Sequence, residues 1–306
     1  MHRPDSPDNP WGSRRPPTRE RPAREPARAR PGHERTAHER PPHEPAREPQ
    51  AGDPAHVATR EQRHAELRLY GLNAVRAVFA RRPEAIRKLY LAEARIPQLQ
   101  PMLKWCVAHR IGYRVVDEPG LHKLAASTHH EGVVAEVLRE EPQPLTTWLR
   151  TLPATGPQCA LWLDGVGNPH NLGAILRSAA HFGVSAILVP KQSTLALSGA
   201  AARVAEGAAE AVPFVRLGRG DNALAQLRGA GFALAATLVR EGTDLFAAPL
   251  PPRLVYVLGA EGEGMDPALA AACDLRLSIP GSGAVESLNV AAATAVLLAE
   301  WRRAAR

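Results

Sequence analysis

The chain has 306 residues, 44% of them hydrophobic, so it is long enough for about two domains with packed cores. Its formal net charge of +7 favours a polyanionic partner, although a high arginine content also follows from genomic base composition. No apolar run is long enough to span a bilayer, and no signal peptide is visible, which predicts a cytoplasmic protein. The spacing of the three cysteines excludes a disulfide framework or a zinc motif, so we expect no metal: Cys106, Cys159 and Cys273.

Residues 1–62 form a segment rich in proline, arginine and glutamate, with the sequence PAREP at 22–26 and again at 45–49. The segment has almost no aliphatic side chains, so it cannot bury enough surface to offset the entropy of ordering. We therefore predict a disordered tail. Two interpretations stay open, a weak electrostatic tether for RNA and a solvated tail without specificity.

From residue 63 to residue 140 the pattern changes to short alternating elements. A helix is expected at 72–79, where apolar residues recur at helical spacing, then a strand at 88–92 and a helix at 99–108. A strand at 113–116, a short helix at 121–125 and a strand at 133–137 complete a small α/β module. Prolines at four positions of residues 141–157 predict a semi-rigid linker, across which the two domains move.

Residues 158–306 alternate again, and the apolar strands are nearly continuous in Val, Leu, Ala and Ile. Strands are expected at 160–163, 186–189, 214–217, 232–237, 254–258 and 275–279. Helices are expected at 172–182, 198–209, 222–228, 267–272 and 287–303. This pattern predicts a parallel sheet covered by helices on both faces, with ligands at the carboxyl ends of its strands.

Three stretches at those strand ends carry polar or glycine-rich turns. They are DGVGNPHNLGAILRSA at 164–179, VYVLGAEGEGM at 255–265, and IPGSGAVESLNVAAATAVLLAEW at 279–301. Ser287 and Asn289 stand at the start of the last helix, where unpaired backbone N–H groups can hold polar ligand atoms. Ser287 alone would also suit an ordinary helix cap.

Taken in this order, the three stretches resemble the motifs of the TrmH (SpoU) branch of the SPOUT RNA methyltransferases. The opening YGLNAV and the close HHEGVVAEV of the small module resemble the ribosomal-protein-like, RNA-binding domain that precedes many such enzymes. The resemblance implies a deep trefoil knot in the C-terminal half, S-adenosylmethionine as cofactor, and a homodimer. It implies methyl transfer to a ribose 2′-hydroxyl in structured RNA, either rRNA or tRNA.

The resemblance also implies roles for individual residues. The catalytic candidates are Arg177, Asn171, Ser287, Asn289 and Glu261. The cofactor-binding candidates are Gly259, Ile279, Leu288 and Thr237, although Ile279 and Leu288 would otherwise be taken as plain core. The RNA-binding candidates are Arg177, Arg203 and His129. His130 and Glu131 are further RNA contacts or part of a polar loop, while Glu206 and Glu210 are predicted on a helix surface.

Arg177 is the residue on which the chemistry depends most. A guanidinium can bind a phosphate with two hydrogen bonds and stabilise a developing alkoxide, but its pKa is too high for a literal base. Without Asn171 nearby in the sequence, Arg177 would be taken as a surface residue of an amphipathic helix. Relatives usually have Asp where this chain has Asn168, which puts any role of that position in doubt.

Three alternatives stay open at this stage. The first is an RNA-binding relative without turnover, against which stands the joint presence of the five catalytic candidates. The second is a nicotinamide or nucleotide enzyme with an open sheet, disfavoured because the glycine turn comes late in the chain rather than after an early strand. The third is methylation of a base rather than a ribose.

Overall fold

Two β-sheets organise the part of the chain that the computed structural model describes, which is residues 66–305 without 261 and 263. For residues 220 and 221 only the backbone is described. The described residues belong to one compact unit, Gly52–Arg306. The predicted tail, residues 1–62, lies outside them. We call residues 66–138 the small module and residues 143–305 the large module.

The small module is a four-stranded sheet with three helices. In chain order its elements are β1 (Glu66–Tyr70), α1 (Leu72–Arg81), β2 (Ile86–Leu91), α2 (Ile96–Ala108), β3 (Gly112–Val115), α3 (Glu118–Ala125) and β4 (Val133–Leu138). The strand order is β1-β4-β2-β3, antiparallel except for the parallel pair β2 and β3. Helices α1 and α2 bury their apolar stripes against one face, in a core that includes Val75, Leu89 and Met102. The α/β module expected from the sequence is present.

The large module is an eight-stranded sheet in which every neighbouring pair is parallel. Its elements are β5 (Gln143–Pro144), α4 (Leu145–Thr151), β6 (Gln158–Leu163), α5 (Pro169–Phe182), β7 (Ala186–Val189), α6 (Gly199–Ala205), β8 (Phe214–Arg216), α7 (Gly220–Gly229), β9 (Ala233–Thr237), β10 (Thr243–Asp244), β11 (Arg253–Leu258), α8 (Pro267–Ala272), β12 (Leu275–Ser278) and α9 (Val290–Ala304). The strand order is β10-β12-β9-β11-β6-β7-β8-β5. The predicted parallel α/β sheet is confirmed, whereas the knot stays a prediction.

Both faces of this sheet are buried, which explains why its strands are apolar without alternation. On β11, Leu254 and Tyr256 belong to one core cluster, whereas Val255 and Val257 belong to the cluster on the other face. Burying one such aliphatic side chain fully contributes about 1.5–3 kcal/mol, so two packed faces stabilise the strands that carry the loops. Among the described helices, none is long and apolar enough to cross a membrane.

The structure differs from the prediction of a linker at residues 141–157. Strand β5 pairs with β8 at the edge of the large sheet, and Trp148 of α4 is 2% exposed in the core of the large module. Its indole nitrogen donates to the carbonyl of Ser185 at 3.3 Å. The prolines of this segment therefore mark an edge strand and its turns rather than a spacer between domains, because an edge strand tolerates proline.

Candidate cofactor and active site

A cavity of about 520 Å³ opens at the carboxyl ends of three neighbouring strands of the large sheet, β9, β11 and β12. This edge of a parallel sheet is where ligands are expected, and the volume lies in the range of small-molecule sites. All four predicted cofactor-binding residues line it: Thr237, Gly259, Ile279 and Leu288. The hydroxyl of Thr237 donates to the carbonyl of Val257 at 2.8 Å, so that group is used to hold the sheet.

A tight turn forms one wall of the cavity. Ala260 and Gly264 exchange two backbone hydrogen bonds of 2.8 and 3.0 Å, and Gly262 and Gly264 adopt φ of 88° and 78°. Glycine adopts such angles without steric penalty. At Gly259 an added Cβ would lie 2.5 Å from the carbonyl carbon of Gly264. The glycines of the second motif are therefore required by the geometry of this turn. Glu261, a predicted catalytic residue, lies outside the described residues.

Asn289 joins the third motif to the first. Its Oδ1 accepts from the backbone N–H groups of Ala291 at 2.9 Å and Ala292 at 3.4 Å, so Asn289 caps α9. Its Nδ2 donates to Oδ1 of Asn171 at 3.0 Å. Because the cap requires the oxygen to face the helix, the orientation of the amide is determined by the backbone. The predicted start of this helix at Ser287 was wrong, since Asn289 is the cap and Ser287 lies before it.

Helix α5 carries Asn171 and Arg177. Asn171 is 8% exposed, whereas the side chain of Arg177 is exposed about 9 Å further along the helix axis. Within the described part of the chain Arg177 makes no hydrogen bond or ion pair, and it is not among the residues that line the cavity. The structure thus brings Asn171 and Asn289 together and leaves Arg177 as an accessible cation on the same helix as Asn171.

Asn168, where the family resemblance led us to expect Asp, is the cap of α5. Its Oδ1 accepts from the backbone N–H of His170 at 2.9 Å. Asparagine caps a helix about as well as aspartate, so Asn168 holds the start of α5 without the negative charge of an aspartate.

Ser287 lines the cavity and also an adjoining concave surface formed by residues 279–288. Its side chain is exposed at the rim, beside Leu288. The structure therefore places Ser287 where it can contact a ligand, and its position before the helix removes the interpretation of this serine as an ordinary cap.

The other two RNA-binding candidates, Arg203 of the large module and His129 of the small module, lie away from the cavity. Arg203 donates from Nε to the carbonyl of His129 at 3.0 Å and lies 3.3 Å from a carboxylate oxygen of Glu131. The side chain of His129 is exposed. His130, for which RNA contact and a place in a polar loop were both left open, is 2% exposed, with its ring packed inside the small module.

Both modules of the chain are similar to known protein families. Residues 158–299 match the model of the SpoU rRNA Methylase family, and residues 68–143 match the RNA 2'-O ribose methyltransferase substrate binding model. The chain is 35% identical to the 23S rRNA (guanosine-2'-O-)-methyltransferase RlmB of Shewanella oneidensis, over 78% of this chain and 97% of that protein. The chain belongs to the SpoU RNA methyltransferase family.

Two further relatives of this SpoU-family chain cover both modules. The uncharacterized tRNA/rRNA methyltransferase YfiF of Escherichia coli O157:H7 is 41% identical, over 80% of this chain and 70% of that protein. The AdoMet-bound rRNA methyltransferase from Sinorhizobium meliloti superposes with a TM-score of 0.66 at 25% identity, over 80% of this chain and 90% of that one. The resemblance inferred from the three motifs is confirmed.

Some cavity residues of this SpoU-family chain were not predicted from the sequence. Ala293 and Leu297 of α9 line the cavity at four-residue steps from Asn289, a helical spacing that could have identified them. Behind them, the hydroxyl of the buried Tyr256 donates to the carbonyl of Leu297 at 3.1 Å. This bond fixes α9 against the strand that leads into the glycine turn. Tyr256 carried no sequence signal, because an aromatic residue in a buried strand is usually core.

Proposed function

We propose that the protein is an S-adenosylmethionine-dependent methyltransferase acting on a ribose 2′-hydroxyl of ribosomal RNA. The observation that carries the proposal is the hydrogen bond between Asn289 and Asn171, which joins the cofactor cavity to the helix of Arg177. The RlmB relatives, named for 2′-O methylation of guanosine in 23S rRNA, support the substrate class because this chain covers 97% of the Shewanella protein.

The residues of the cavity suit S-adenosylmethionine. The lining is mainly apolar side chains and backbone, from Leu238, Ile279 and Leu288 together with the glycines Gly259, Gly262 and Gly264 of the turn. Such a wall can hold an adenine ring by packing and by backbone hydrogen bonds, with little dependence on any one side chain. Glu286 is the one titratable group among the described lining residues, and it is exposed at the rim. When bound there, the cofactor supplies an electrophilic methyl group.

The chain's own residues supply positioning and charge. The accessible guanidinium of Arg177 can bind a phosphate next to the target nucleotide and stabilise negative charge that develops on the 2′-oxygen. Asn171 accepts from Asn289 with its oxygen, which leaves its own amide N–H groups as donors for a ribose oxygen. Alignment of the two reactants by such groups lowers the barrier by up to roughly 7–11 kcal/mol.

We also propose a homodimer. Three large apolar side chains that line the cavity or the adjoining concave surface are exposed: Val239, Val285 and Leu288. Exposed apolar side chains grouped on one surface are typical of a protein interface or a ligand groove. Light scattering after size-exclusion chromatography tests this, and a mass of one chain at micromolar concentration would contradict it.

The function is tested with purified protein, S-adenosylmethionine carrying an isotopically labelled methyl group, and unmodified transcripts of 23S rRNA and of total tRNA. After digestion to nucleosides, mass spectrometry should find label in a 2′-O-methylated nucleoside from the rRNA. Label on a base would refute the ribose assignment. Label found only in nucleosides from tRNA would show that the substrate is tRNA rather than rRNA. Cofactor binding with no label in either RNA would favour the RNA-binding relative without turnover.

A calorimetric titration separates the remaining alternative. We expect S-adenosylmethionine to bind and NAD to leave the heat signal flat, because the glycine turn at 259–264 follows a late strand, unlike a dinucleotide fingerprint. Binding of NAD alone would contradict the methyltransferase proposal.

A further inference from the structure

Residues 197–210 of the large module pack against the small module, and we call them the docking segment. Ala202 is 1% exposed inside the core of the small module, and Leu197 packs against the same core. Ala200 packs against the second apolar cluster of the small module, which contains Tyr70 and Tyr90. The docking segment therefore completes the core of a module to which it does not belong in sequence.

Glycines allow this close approach. An added Cβ at Gly199 would lie 2.4 Å from the carbonyl oxygen of Arg68 and 2.7 Å from the ring of Tyr70. Gly207, at φ 91°, lies against α1, where an added Cβ would be 3.0 Å from Ala77. Helix α6 ends at Ala205, earlier than predicted, because Glu206 and Gly207 adopt positive φ. The backbone of the docking segment thus touches β1 and α1 directly.

A buried ion pair crosses the same boundary. Arg82 at the end of α1 binds Glu210 with two hydrogen bonds, of 2.6 Å from Nε and 2.7 Å from Nη2. The side chains are 16% and 4% exposed, and Nη1 of Arg82 also donates to the carbonyl of Leu138. The expectation that Glu210 lies on a helix surface was wrong. A bidentate pair removed from water is specific in geometry, and loss of one partner would leave a buried charge.

A second set of polar contacts holds the other side of the docking segment. Glu131 accepts from the backbone N–H of Leu72 at 2.9 Å and pairs with Arg203, and Asn73 donates to Glu206 at 2.6 Å. Arg139 donates to the carbonyl of Leu197 at 2.8 Å. Arg203, a predicted RNA contact, and Glu131, for which RNA contact and a polar loop were both left open, thus pair between the modules.

The docking segment also contacts the helix of the candidate active site. Helix α6 packs against α5 so closely that a Cβ at Gly173 would lie 2.6 Å from the carbonyl oxygen of Ala201. Gly173 is two residues from Asn171. The small module is therefore connected to the site through a continuous series of packed elements, from β1 and α1 through α6 to α5.

We infer that the docking segment fixes the small module as a rigid arm, and that Arg82, Glu210, Arg203 and Glu131 are positioning residues for the RNA substrate. The inference rests on the proposed function in so far as the small module binds RNA. It replaces the mobile linker expected from the sequence. A rigid arm places bound RNA at a constant distance from the cofactor cavity, so selection of the target nucleotide depends on the pairs between the modules.

Charge reversal of the buried pair is the main test. In the full chain, Glu210→Arg places two cations together and should open the boundary, whereas Glu210→Arg with Arg82→Glu restores an opposite pair. We expect faster hydrogen–deuterium exchange at β1 and α6 in the single variant and recovery in the double variant. The Michaelis constant for 23S rRNA should rise about tenfold in the single variant, with the dissociation constant for S-adenosylmethionine unchanged.

Two glycine substitutions provide a test that does not depend on the folding of the Glu210→Arg variant. Gly199→Ala inserts one methyl group into the boundary and should give the same exchange and Michaelis constant changes in milder form. Gly229→Ala is the control, because nothing lies within 4 Å of the added Cβ at the exposed end of α7. It should leave both measurements as in the wild type.

The outcomes separate the two proposals. Unchanged exchange in Glu210→Arg and Gly199→Ala would overturn the rigid arm, whatever the enzyme methylates. Opened boundaries with an unchanged Michaelis constant, or no recovery in the double variant, would overturn the positioning role. If the wild type transfers no methyl group, the proposed function fails. The arm is then judged by exchange and by the affinity for fluorescently labelled 23S rRNA, which should fall in the single variant.

Discussion

The cofactor cavity and the docking segment are built in opposite ways. The cavity is formed by loops at the strand ends, with glycine turns, exposed residues and one hydrogen bond between Asn171 and Asn289. The docking segment is formed by buried alanines, close glycines and the ion pair of Arg82 with Glu210. At the cavity rim the side chains of Glu286 and Ser287 are exposed, whereas the docking segment uses its polar groups within the chain.

This difference bears on how each region tolerates change. A loop that binds through its backbone depends on φ angles and loses little when an exposed side chain is truncated. A buried boundary depends on volume and on paired charge, and it loses much when either is altered. Substitutions should therefore separate chemistry, cofactor binding and stability more cleanly in the cavity than in the docking segment.

The largest effect is expected at Arg177. Its substitution tests whether methyl transfer and cofactor binding can be separated in the cavity region. Arg177→Ala should lower the rate of methyl transfer by about a hundredfold to a thousandfold, because the cation that stabilises the developing charge is lost. The affinity for S-adenosylmethionine should stay unchanged. Single-turnover transfer and calorimetry measure the two quantities. Arg150→Ala, at an exposed arginine of α4, is the matched control, and full activity of Arg177→Ala would remove this residue from catalysis.

The next effect is expected at Asn289, where two substitutions divide the cap from the link to Asn171. Asn289→Ala loses both and should lower the free energy of unfolding by about 1 kcal/mol as well as the rate. Asn289→Asp keeps a cap but cannot donate to Oδ1 of Asn171, so it should keep its melting temperature and lose most of its rate. Equal rates for Asn289→Asp and the wild type would show that the cap alone matters.

A smaller effect is expected at Gly259, and it tests whether the turn binds through its backbone. Gly259→Ala places a Cβ 2.5 Å from the carbonyl carbon of Gly264, so the turn must shift. The dissociation constant for S-adenosylmethionine should rise about tenfold, equivalent to about 1.4 kcal/mol. Calorimetry checks this, with Gly229→Ala as the control, and an unchanged constant would place the cofactor away from this turn.

The smallest effect is expected at His130, beside the polar contacts of the docking segment. Burial lowers the pKa of His130 below its ordinary 6.5, while Glu118 opposes this and His122 adds to it. The ring accepts from the backbone N–H of Gly132 at 3.0 Å, which requires an unprotonated Nδ1.

Since the unfolded chain binds this proton first as the pH falls, the stability contributed by His130 is present above pH 6.5 and declines below it. The melting temperature should drop more between pH 7 and pH 5.5 in the wild type than in His130→Asn, whose amide oxygen can still accept from Gly132. Equal drops in the two proteins would contradict this assignment.

The cofactor cavity and the docking segment also differ in how much of each could be predicted from the sequence. The loops that line the cavity were predicted, because each of the three motifs is contiguous and follows a strand, and the carboxyl ends of parallel strands meet at one edge. Thr237, Gly259, Ile279 and Leu288 were all assigned before the structure placed them together. The last helix was predicted to start too early, at Ser287 instead of after Asn289, since both Ser and Asn are common caps.

The docking segment was predicted poorly, because its partners are far apart in the chain. Arg82 and Glu210 are 128 residues apart, and each alone is typical of a solvated helix end. Arg203 was predicted to contact RNA, and RNA contact was left open for Glu131, since the local sequence around a charged residue gives no sign of which charge it meets.

The sequence by itself determined the two modules, the parallel sheet and the loops that line the cavity, since these follow from local periodicity and from turns that need glycine. Only the tertiary structure decided that Asn289 binds Asn171 and that residues 197–210 complete the core of the small module. The physical reason is that pairing of buried charge and matching of volume depend on the three-dimensional neighbours, and no local pattern specifies those.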